Sequence, residues 1–141
     1  MDWVEGFYTL QYALLADDVA WQVQPHHCEI AASVRTLAGP PPGRVLELGA
    51  GGGQVAAALA DLGYDVLANE LLPEVAARAT ALARSSRAGT MTVLAGSFYD
   101  IELPDTFDAV CYWMALASVA TPTSERYCGW CGPGSRQPGR R

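Results

Sequence analysis

With 141 residues, half of them hydrophobic, the chain has the size of one domain and enough apolar side chain to bury a core. No run reaches the roughly 18 apolar residues of a membrane span, and the acidic start Met1-Asp2-Trp3-Val4-Glu5 is not a secretory lead-in, so no membrane partner and a cytoplasmic location are expected. A net charge of −6 disfavours a nucleic-acid partner, although residues 1–113 carry 14 acidic side chains against 5 arginines while residues 114–141 carry 1 against 4.

Residues 3–20 read as helix, because Trp3, Phe7, Tyr8, Tyr12 and Leu15 recur at three-to-four spacing. An ordinary packing face is the expected role of those aromatics, with a lid over a site as the alternative. A second helix is expected from Cys28 to Ala38, after Pro25 and before the breaker Gly39-Pro40-Pro41-Pro42-Gly43. Arg44 to Leu48 then has the short apolar run of a buried strand. Gly49 to Gly53 is a tight loop, and Gln54 to Leu62 is an Ala- and Leu-rich helix stopped by Gly63. Asp65 to Asn69 is a second strand, Pro73 opens a helix over 74–84, Met91 to Ala95 is a third strand and Phe107 to Trp113 a fourth. Strands alternating with helices mean βαβ units and a parallel sheet.

The loop after the first strand carries the most chemical information. Glycines let the backbone turn sharply there and let a ligand approach, and the next helix aims its first N–H groups at that ligand. A dinucleotide fingerprint would place its third glycine at position 54, which is Gln54. Glu47, two residues before the first glycine, would repel a pyrophosphate but suits an ammonium or sulfonium. Glu70, at the end of the second strand, can accept hydrogen bonds from ribose hydroxyls.

Glu47 followed by Gly49-Ala50-Gly51-Gly52-Gly53 resembles the first motif of class I, Rossmann-like methyltransferases that use S-adenosylmethionine. The start Met1 to Tyr8 and the segment Phe107 to Trp113 extend the resemblance, towards bacterial enzymes of the small-molecule type, over residues 1–113. It implies an α/β fold with a partial parallel sheet, its first four strands ordered 3-2-1-4, flanked by helices and followed by an irregular tail. The N-terminal helices would occupy 1–40 and the βαβ core 44–113 of a cofactor-binding domain. S-adenosylmethionine would then be held by Glu47, Gly49, Ala50, Gly51, Gly53, Glu70 and Leu71. Ser97 and Phe98 would meet the adenine, with Ser97 standing where the family often has a carboxylate. The acceptor implied is a small molecule, and no residue is assigned as a catalytic base. An NAD-dependent oxidoreductase domain and a non-catalytic cofactor-binding remnant are the alternative functions.

Residues 114–141 have no sustained helix or strand period, and Met114 stands where the family tends to carry an acidic residue. Back-translated with free third bases and read from the last base of the Trp113 codon, the tail can give DGLGVGGDADQRALLRVVRAWLAPAG. That string restores the acidic residue and continues as an amphipathic helix, so a frame-shifted tail is expected, to be tested on the nucleotide sequence. A sheet ending at strand four would leave an open edge and invite self-association. Cys128-Gly129-Trp130-Cys131 is followed by Gly132-Pro133-Gly134, which breaks the helix a redox motif needs. With only His26, His27 and Cys28 as further donors, no metal is expected.

Overall fold

The computed structural model describes residues 3–14, 21–85, 87–103 and 106–113. Helices α1 (Trp3–Ala13) and α2 (Pro25–Ala38) precede an alternation of β1 (Arg44–Leu48), α3 (Gln54–Asp61), β2 (Asp65–Glu70), α4 (Pro73–Ala83), β3 (Thr90–Ala95) and β4 (Ala109–Tyr112). The four strands are parallel and ordered β3-β2-β1-β4. This is the expected partial Rossmann-like sheet. The order in which strands are added reverses between β1 and β4, and α/β sheets bind ligands outside the carboxyl ends of strands at such a switch point.

β1 is the innermost strand in character. Val45, Leu46, Glu47 and Leu48 are all buried, as both faces of a parallel sheet are covered by helices. α3 is apolar all round, with Val55 through Ala60 buried. Its alanines let both α2 and the sheet pack closely against it. The core joins Ala31 and Val34 of α2, Val45, Leu59, Val66 and Cys111. Arg87 ties the ends of α3 and α4 together: Nη1 donates to Asp61 Oδ1 (2.6 Å) and the Ala57 carbonyl (3.3 Å), and Nη2 donates to the Leu82 carbonyl (3.2 Å).

Of the element boundaries that differ from the sequence reading by a residue or more, three have a clear local reason. α2 begins at Pro25 rather than Cys28, since proline is pre-set for the first helical position and the Gln24 N–H donates to His27 Nδ1 (2.8 Å). β3 begins at Thr90, whose hydroxyl bonds to the Asp65 carboxylate across the sheet. β4 begins at Ala109 rather than Phe107, because Asp108 turns its carboxylate onto the Arg44 N–H (2.7 Å) and Phe107 lies under the Arg44 guanidinium.

The packing face expected of the first helix is corrected. No residue of α1 is buried, and Trp3 and Phe7 are 65 % and 50 % exposed. Only Tyr8 and Tyr12 among its aromatics turn partly inwards. Leu15, Met114, the Cys128–Cys131 pair and the tail reading lie outside the described residues. Among the described residues no helix is long and apolar enough to cross a membrane, and no cluster of His, Cys, Asp or Glu could hold a metal.

Candidate cofactor site

Glu47 is the penultimate residue of β1 and is 3 % exposed. Its carboxylate accepts a hydrogen bond from the backbone N–H of Ala56, in the first turn of α3. That N–H is one of the donors every helix start leaves unpaired, which explains why an acidic side chain is tolerated there. Its other oxygen, Oε2, is buried without a hydrogen-bond partner. Burial, reinforced by the nearby Glu70 carboxylate, pushes the Glu47 carboxyl up to about 8. Cys111, its register partner on β4, is pushed up to about 12 by burial and then by the Glu47 charge.

Glu70 closes β2 and is 4 % exposed. Its Oε2 accepts from the Gly51 N–H (2.8 Å) and its Oε1 from the Leu72 N–H (3.0 Å). Burial still raises its carboxyl above the ordinary carboxylate range, against those backbone bonds. Two buried carboxylates therefore face one loop, and among the described residues neither has an ion-pair partner. Uncompensated buried charge is costly. The arrangement is complementary to a cationic ligand carrying hydroxyls.

The loop between them is a backbone cradle. The Ala50 N–H continues the β1–β2 ladder by donating to the Asn69 carbonyl (2.8 Å), and the Gly53 N–H donates to the Ala50 carbonyl (2.9 Å). Gly51 has φ +57°, and a Cβ there would sit 2.9 Å from the Tyr12 hydroxyl. Gly53, φ +79°, is the N-cap of α3, and a Cβ there would strike Met91 and Ala79. Gly51 thus opens towards the site, whereas Gly53 lets α3 pack against α4 and β3.

The aromatics of the helix expected over 3–20 read as a packing face, with a lid over a site as the alternative, and Tyr12 of α1 reaches this cradle. Tyr12 is half-buried and lies against Trp21 (ring centroids 5.6 Å), and burial and the charges of Glu70, Tyr8 and Glu47 raise its phenol. Asn69 is a residue to which sequence reasoning gave no role. It is 1 % exposed, and its Nδ2 donates to the carbonyls of Leu94 (3.1 Å) and Gly96 (2.8 Å), which fixes the turn after β3. An Asn inside an apolar strand was the available signal, since strands are depleted in it. Asn69→Ala is expected to cost about 2 kcal/mol in urea unfolding, because it removes the donor to two part-buried carbonyls.

Ser97 and Phe98 follow β3 at the same edge of the sheet. The Ser97 hydroxyl accepts from the Tyr99 N–H (3.3 Å), so it caps the turn over 97–101. Phe98 meets Tyr112 at the end of β4 edge to face (6.0 Å). Leu71 is half-buried directly after Glu70, and Gly49 has φ +63°. The structure thus gathers Glu47, Gly51 and Glu70 at one point, with Ser97 and Phe98 at the carboxyl end of the neighbouring strand.

The family profile described as a methyltransferase domain matches residues 45–130, more than half of the chain. The chain belongs to this methyltransferase domain family. A protein-L-isoaspartate O-methyltransferase of Chlorobium limicola is 52 % identical over 46 residues, which is 33 % of this chain and 21 % of that protein. Among solved structures, the methyltransferase CcbJ of Streptomyces caelestis superposes with a TM-score of 0.55 at 30 % identity, covering 63 % of this chain and 36 % of its own. The glycopeptide N-methyltransferase MtfA, solved with S-adenosylmethionine, gives 0.52 at 32 % identity, covering 61 % and 39 %. The chain therefore spans well under half the length of the relatives it matches. Within the methyltransferase domain, the matched region contains Glu47, the glycine loop, Glu70, Ser97 and Phe98.

Proposed function

We propose that this methyltransferase domain binds S-adenosylmethionine at the carboxyl ends of β1 and β2 and serves methyl transfer to a small-molecule acceptor in the cytoplasm. The observation that carries the reading is Glu47: a buried carboxylate with one oxygen spent on a helix start and the other without a partner. Such an oxygen fits a cationic group, and S-adenosylmethionine carries an ammonium and a sulfonium. The Gly51 cradle fits as well, since a Cβ there would fill the space between the loop and Tyr12. Family membership favours this reading over a dinucleotide oxidoreductase.

When bound, S-adenosylmethionine supplies an electrophilic methyl carbon attached to a sulfonium. Glu47 would hold the ammonium through Oε2. Glu70 would accept from the ribose hydroxyls with the lone pairs that Gly51 and Leu72 leave free. Gly49, Ala50, Gly51 and Leu71 would supply backbone around the methionine and ribose, with Gly53 fixing the loop's shape. Ser97 and Phe98 would border the adenine. The protein's part is positioning and electrostatic complementarity, which suit a direct displacement that needs no covalent help.

Ultraviolet cross-linking of methyl-tritiated S-adenosylmethionine to the purified chain tests the location. Label is expected in peptides spanning 44–53 or 65–72 and should disappear with excess unlabelled S-adenosylhomocysteine. Label confined to peptides outside the β1, β2 and β3 ends would place the cofactor elsewhere.

A further inference from the structure

α1 has no buried residue, so its position on the domain needs an explanation. Trp3, Leu10 and Leu14 are all more than 60 % exposed, and they do not anchor it. A helix with few buried apolar contacts belongs to the low-stability end of a fold. Among the described residues, one cluster of contacts ties it to the glycine loop and to α4. The Tyr12 hydroxyl lies over Gly51, and the Tyr12 ring meets Trp21 at 5.6 Å. Trp21 lies over Gly52, where a Cβ would come within 2.7 Å of its Cε3. The outer face of the cluster is closed by Arg78 of α4, whose guanidinium carbon is 4.4 Å from the centroid of the Trp21 ring. Arg78 itself is exposed and has no ion pair among the described residues.

We propose that Arg78 is a positioning residue for the cofactor cradle: through Trp21 it holds Tyr12 on the glycine loop and so keeps α1 seated over the site. This rests on the cofactor reading above and adds to it a coupling between α4 and cofactor exchange. The chemistry is that of a cation over an indole face, the strongest of the aromatic partners for a cation. A guanidinium can also stack flat on the ring, which an ammonium cannot. With the latch closed, Tyr12 covers the loop between the two carboxylates. A ligand must enter or leave when it opens, and weakening the latch raises the open population.

Hydrogen exchange of the full chain, with S-adenosylhomocysteine dissociation measured alongside, tests the proposal. In Arg78→Met the amides of α1 are expected to exchange about two- to fivefold faster than in the wild type, the shift a surface cation–π contact carries. Dissociation of S-adenosylhomocysteine should speed by a similar factor, with Arg78→Lys in between and the amides of β1 and β2 unchanged. Trp21→Leu, which removes the Tyr12 and Gly52 contacts as well, should have at least the effect of Arg78→Met. Unchanged α1 exchange overturns the latch. Faster α1 exchange with an unchanged dissociation rate overturns the positioning role, and faster exchange throughout the sheet reduces Arg78 to general stability and overturns it too. Failure of the wild type to bind S-adenosylhomocysteine overturns the cofactor reading and the positioning role together, while the α1 exchange still decides whether Arg78 seats the helix.

Discussion

Glu47→Gln is expected to make the unliganded protein more stable at alkaline pH and to cost it about 100-fold in affinity for S-adenosylhomocysteine. The two effects have one cause. In the folded chain the Glu47 carboxyl is raised from 4.5 to about 8, chiefly by burial. The folded state therefore binds a proton that the unfolded state releases, across the window between those two values. Stability from this group is complete below about pH 4.5, declines as pH rises, and is gone above about pH 8. The penalty at the alkaline end is on the order of 5 kcal/mol. Glutamine keeps the shape and never pays it. Urea unfolding at pH 5 should give similar stabilities for the two proteins, and at pH 9 the variant should be the more stable. In the liganded protein the balance reverses, because an ammonium beside Oε2 favours the ionised carboxylate, and a charge-assisted hydrogen bond of this kind is worth roughly 2–3 kcal/mol. Affinity of the wild type for S-adenosylhomocysteine should consequently rise with pH towards 8, with a proton released on binding at pH 7. Equal stability of the two proteins at pH 9 would show that Glu47 is not the buried, strained carboxylate described.

Gly53→Ala is the second large effect, and Gly51→Ala is its control. Both glycines have positive φ, which costs an alanine about 1 kcal/mol. At Gly53 the new Cβ would also sit 2.6 Å from Met91 Cε, 2.8 Å from Ala79 Cβ and 3.2 Å from the Ala79 Cα. Methionine can move, but Ala79 is backbone and Cβ of a buried helix face, so α3 and α4 must separate. Overpacking of this sort adds roughly 1–3 kcal/mol, for a total of about 3 kcal/mol. At Gly51 the obstruction is the tip of the Tyr12 ring, which can swing out. The loss of stability there should be near 1 kcal/mol, while ligand affinity falls because the cradle is filled. Urea midpoints separate the cases: a Gly53 variant no less stable than the Gly51 variant would contradict the packing described.

The sheet was legible because each strand is a short apolar run between turn residues, and β1 to β3 came within one or two residues of their observed spans. The strand order was not in the periodicity. It came with the resemblance, carried by Glu47 and the glycine loop, and the structure shows it. Glu47 and Glu70 could be chosen from sequence because a carboxylate at a strand end before a glycine loop is chemically informative. Their burial without an ion-pair partner was not visible, as burial is set by elements folding back across the strand ends. Tyr12 read as part of a helical packing face, with a lid as the alternative, since three-to-four spacing reports amphipathicity and not what the face meets. The cluster with Trp21 and Arg78 joins positions 12, 21 and 78, and nothing local in the chain links them. Asn69 was similarly hidden, its partners lying on the neighbouring strand's exit.

The most direct test of the cofactor site is a calorimetric titration of the purified chain with S-adenosylhomocysteine, with NAD as the control. Saturable binding of S-adenosylhomocysteine, absent for NAD and weakened about 100-fold by Glu47→Gln, is the result expected. Binding of NAD instead, or no binding of S-adenosylhomocysteine to a chain that circular dichroism shows to be folded, would contradict the assignment of this cradle to S-adenosylmethionine.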